Sequence, residues 1–152
     1  MLTEQQKQQL KDLYHNYFKD SALIITKGCL TDCEFIHCFL AGSAKECENG
    51  ISHNDCFQIM FHLEHKADGY QLYAVQNCFT IKPTNKYCFC DYERVNFRRV
   101  DTQDFQKIID ALKRFFERLH KQVKANIEKD NLLGRESGQI SDLELAKQHI
   151  VL

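Results

Sequence analysis

Between Asp101 and Lys129 the apolar residues Phe105, Ile108, Ile109, Leu112, Phe115, Phe116, Leu119, Val123 and Ile127 recur at steps of three and four. That spacing draws one stripe along an α-helix of about seven turns. Asp101 is placed to cap the first free amides, and Asp104, three residues on, to reach back as a weaker capping box. A helix cannot bury three phenylalanines against itself, so the stripe demands an opposing surface. More than any other segment, it limits what this chain can fold into.

The residues before it supply that surface. From Cys56 to His65, Phe57, Ile59, Phe61 and Leu63 alternate with Gln58, Met60, His62 and Glu64, the period of two of a half-buried strand. Lys66 to Gly69 has the length of a hairpin turn, and Tyr70 to Lys82 reads as the partner strand. Pro83 to Asn85 turns the chain again, and Tyr87 to Val100 reads as a third strand. Its alternation slips, which a bulge near Asp91 would absorb.

Thr3 with Gln6 forms a capping box, and Leu10, Leu13, Tyr14, Tyr17 and Phe18 mark a first helix from Thr3 to Lys19. Ala22 to Ile25 fits a short strand or a last turn, and Gly28 breaks the pattern. Residues 29–40 fit either helix or strand, with strand favoured for Glu34 to Leu40. Ala41 to Asn54 holds Gly42, Ser43, Asn49 and Gly50 and reads as the least ordered part of the first half. Residues 130–139 read as a linker. Ser141 with Glu144, stapled by Ile140 and Leu145, starts a short terminal helix from Asp142 to about Ile150. The expected fold class is α+β: an antiparallel sheet of about three to five strands, an N-terminal helix, a long C-terminal amphipathic helix and a short terminal helix. Residues 1–129 form a single domain, and 130–152 the linker and short helix.

The 152 residues suffice for one core, and with 43% hydrophobic residues the chain is expected to be globular. No apolar run approaches the roughly 20 residues of a membrane span, and the polar, Gln-rich start does not fit a secretory signal. A cytoplasmic location follows, and with it the expectation that the 8 cysteines are free thiols acting as small hydrophobes.

Three chemical constellations compete with simpler roles. Cys29, Cys33, Cys38, Cys47, His53, Cys56, Cys88 and Cys90 lack the tight paired knuckles of structural zinc, although Cys88 and Cys90 could share a strand face near Cys78. Cys38 beside His37, or Cys56 beside Asn54 and Asp55, offers a thiol and a partner without the setting that activates one. Glu64, His65 and Lys66 mimic the E-x-K element of metal-dependent nucleases, with Asp91 and Glu93 as further oxygen ligands, but so short an element is also a plain solvent-facing strand end. No Gly-rich phosphate loop or dinucleotide fingerprint occurs. No catalytic set, metal or cofactor is assigned.

Charge is more informative. From Arg94 to Lys124 nine basic residues face four acidic ones, whereas from Gly28 to Gly69 two face seven, within a net charge of −1. At about 100° per residue, Lys107, Arg114, Arg118 and Lys121 fall opposite the apolar stripe. With Arg94, Arg98 and Arg99 they form a basic face, either merely solvated or contacting phosphates or an acidic partner. The leading reading is a small non-enzymatic protein-interaction module. The alternatives are nucleic-acid binding through the basic face and a metal-dependent hydrolase using Glu64, Asp91 and Glu93. A homodimer is also expected, through residues 140–152 docking near Leu10, Tyr14 and Tyr17 of a second copy.

Overall fold

The capping box at Thr3 forms as the sequence requires: Thr3 Oγ1 accepts from Gln6 N–H at 3.1 Å and Gln6 Oε1 from Thr3 N–H at 3.0 Å. It opens α1 (Glu4–His15), which is shorter than the expected Thr3 to Lys19. In this computed structural model residues 1–19, 21–29, 31–47, 50–80, 88–90 and 97–132 are described.

One six-stranded antiparallel sheet follows: β1 (Leu23–Lys27), β2 (Cys33–Cys47), β3 (Gly50–Lys66), β4 (Gly69–Thr80), β5 (Cys88–Cys90) and β6 (Val100–Thr102). Strands β1 to β4 pair in chain order, and β5 and β6 share the far edge of β4. Residues Ala22 to Ile25 therefore lead into a strand, and residues 34–40 are strand. Of the stretch from Ala41 to Asn54, expected to be least ordered, residues 41–47 and 50–54 instead extend the β2–β3 hairpin: its register shifts flank Ala41, so the residues around Gly42 are absorbed as bulges. The expected third strand is corrected too. It is replaced by β5 and β6, and Phe97 to Arg99 is irregular; the bulge near Asp91 lies outside the described residues. Gly69 closes the β3–β4 turn, where an added Cβ would come within 2.4 Å of the Thr102 carbonyl oxygen.

Asp101 does not cap the long helix, because it sits in β6. Asp104 does so, accepting from Gln106 N–H at 2.9 Å, and α2 (Phe105–Leu132) runs three residues past Lys129 into the expected linker. The remaining linker and the terminal helix lie outside the described residues.

Both helices cover one face of the sheet. Ile108, Ile109, Leu112, Phe115, Phe116 and Leu119 of α2 pack with Leu10 and Tyr14 of α1 onto Ile25, Ile36, Cys38, Ile59, Phe61, Leu63 and Leu72. Leu10 and Tyr14 are fully buried, so they cannot serve as the open docking surface expected for a second copy. The spacing on α1 carries no sign that α2 lies beside it and covers this stripe. The Tyr14 hydroxyl donates to the Phe39 carbonyl, and burial pushes its pKa well above the usual phenol value.

Among the described residues Glu34 is a buried charged side chain on this face, 1% exposed. Its carboxylate accepts from Leu2 N–H at 2.7 Å and pairs with His65 Nε2, which fastens the segment before α1 to β2 and β3. Buried charge needs such a partner set.

Candidate anion-binding cleft

Phe97 positions the site. Its ring packs edge-on against Phe61 at 5.0 Å and Phe115 at 5.6 Å, anchoring the irregular Phe97–Arg99 segment beside α2. Between the segment and the helix lies an open cleft of about 520 Å³. Arg98, Arg99, Arg114 and Arg118 line it with Glu117, over the apolar Phe97, Val100 and Ala111.

Each arginine is presented differently. Arg114 and Arg118 stand one turn apart on α2, both exposed, and the Arg118 guanidinium lies 5.7 Å from the Phe115 ring centroid, within cation–π reach. Arg99 Nε donates to Asp101 Oδ2 at 3.2 Å. Asp101 in turn accepts from Gln71 Nε2 at 2.8 Å across the β4–β6 pair. These two donors, Gln71 foremost, hold the Asp101 carboxyl below the usual carboxylate range. Among the described residues, neither Arg98 nor Arg114 pairs with a carboxylate.

Guanidinium forks of this kind match the two oxygens of a carboxylate or phosphate. Several in one concavity also focus a positive field. Among the described residues, the lining is four arginines and Glu117 over apolar side chains, an arrangement equipped to hold an anion.

Four of the seven expected basic-face residues thus converge. Lys107 and Lys121 are exposed on α2 but do not line the cleft, and Arg94 lies outside the described residues. The sequence reading missed Glu117 and Tyr17. The Tyr17 hydroxyl donates to Glu117 Oε1 at 2.9 Å, a contact between residues a hundred positions apart that no local spacing signals.

Of the other constellations, the pairing of Cys38 with His37 does not form, and most of the remaining members lie outside the described side chains. Cys38 is fully buried on the helix-covered face, where burial pushes its thiol well up. His37 points to the opposite face, with its Nε2 2.9 Å from Thr26 Oγ1, so it cannot activate the thiol. Glu64 pairs with Lys66 at 3.0 Å, while Asp91 and Glu93 lie outside the described residues. Among the described residues no group of three His, Cys, Asp or Glu is placed to hold a metal ion. The strand register does set Cys78 opposite Cys90, and Cys29, Cys33 and Cys38 are free. No described helix is long and apolar enough to cross a membrane.

No family model, curated protein or solved structure matches this chain.

Proposed function

We propose that this chain is a small, non-enzymatic, cytoplasmic interaction module that binds an acidic segment of another protein in its arginine cleft. The observation that carries this reading is the convergence of Arg98, Arg99, Arg114 and Arg118 on one apolar-lined concavity. A protein segment suits the site better than nucleic acid does. The basic character is local, within a net charge of −1. A duplex carries a charge about every 1.7 Å and would run off the cleft onto surface of mixed sign.

The test is binding of the full chain to a fluorescein-labelled hexaglutamate peptide and to a single-stranded oligonucleotide of equal charge. The expected result is peptide binding that the double variant Arg114→Glu, Arg118→Glu weakens by about tenfold or more. Tighter oligonucleotide binding, falling steeply with salt, would replace this reading with the nucleic-acid one. Binding of neither probe would overturn it.

A further inference from the structure

Glu117 stands on α2 amid cations. Lys113, Arg114, Arg118 and Lys121 all fall within four positions of it. Helical neighbours three and four apart readily form ion pairs, yet no ion pair joins Glu117 to a described basic residue. Its carboxylate instead accepts the Tyr17 hydroxyl at 2.9 Å. Tyr17 is itself fixed. It follows α1 directly, its N–H donates to the Tyr14 carbonyl at 3.1 Å, and its ring lies 6.1 Å from that of His120. Partial burial first, then the hydrogen bond and charge of Glu117, push the phenol above its usual value, so the hydroxyl keeps its donor proton at neutral pH.

We propose that Tyr17 is a positioning residue for the cleft: its hydrogen bond draws the Glu117 carboxylate toward α1 and leaves Arg114 open to an anionic ligand. The proposal rests on the anion-binding reading above for its function but not for its geometry. Without the hydroxyl, Glu117 turns to the cations of its own helix, Arg114 among them at three positions' distance. It then acts as a tethered competitor for any incoming carboxylate. Tyr17 is thus a link through which the packing of α1 on α2 sets ligand affinity.

Tyr17→Phe keeps the ring and removes only the donor. Two measurements on the full chain decide the matter: affinity for the labelled hexaglutamate peptide, and the rate at which phenylglyoxal modifies Arg114, followed by peptide mass mapping. Tyr17→Phe should weaken peptide binding and slow Arg114 labelling by roughly two- to fivefold, the range of one exposed ion pair. Adding Glu117→Gln should restore both, because no carboxylate remains to compete. Wild-type labelling of Arg114 in Tyr17→Phe would overturn the proposal. Equal slowing with and without Glu117→Gln would do so too, since it would assign the effect to altered packing. If the wild type fails to bind hexaglutamate, the functional reading falls, and the labelling rates still decide the role of Tyr17.

Discussion

His62 shows how one residue on the sheet face opposite the helices responds to its surroundings. Its ring stacks on Tyr73 at 4.8 Å and meets Phe35 edge-on at 5.1 Å, and its Nδ1 is buried without a hydrogen-bond partner. Protonation there would create a buried N–H with no acceptor. Burial foremost, and then the charge of Lys66, lower its pKa from 6.5 against the opposing pull of Glu64. The unfolded chain therefore binds this proton more readily than the folded one. The resulting loss of stability is absent above pH 6.5 and grows as pH falls below that ordinary value. An NMR titration of the histidine rings should place His62 below 6.5. A midpoint at or above it would mean that the ring is more hydrated than its packing implies.

At the scale of elements, α2 shows why periodicity is a strong guide. Steps of three and four put Phe115, Phe116 and Leu119 on one side, and all three are fully buried. Phe116 meets Tyr14 edge-on at 5.2 Å, so it joins the two helices as well as filling the core. Phe116→Ala should cost about 3–5 kcal/mol, read as a lowered urea midpoint at constant slope. An unchanged midpoint would contradict the packing. The β2–β3 hairpin teaches the reverse. Glycine and serine suggested a break there, but paired strands accommodate extra residues as bulges, and pairing is a property of two segments at once. Asp101 is a similar case: a carboxylate near a helix start resembles a cap whether or not a strand holds it.

At the scale of the whole molecule, the apolar C-terminal stretch bears on assembly. A homodimer through residues 140–152 stands as a proposal, and it requires a dock other than Leu10 and Tyr14, which the protein's own core uses. The terminal stretch carries Ile140, Leu143, Leu145, Ile150, Val151 and Leu152, and the short helix expected from its capping box would be marginal without a surface to bury them. Light scattering at several concentrations should give a dimer for the full chain and a monomer once 140–152 is deleted. A full-length monomer at high micromolar concentration would end the proposal.

The sequence by itself determined the first helix and the long helix, the strand from Cys56 to His65 and its hairpin turn, because amphipathic period, caps and turn residues act over a few positions. It also marked the excess of arginine that the cleft uses. Only the tertiary structure decided that β5 and β6 share one edge of β4. The same holds for Arg98 and Arg99 meeting Arg114 and Arg118 beside Phe97, and for Tyr17 reaching Glu117. Each of these depends on which surfaces face each other after the core closes, and a one-dimensional pattern carries no record of that.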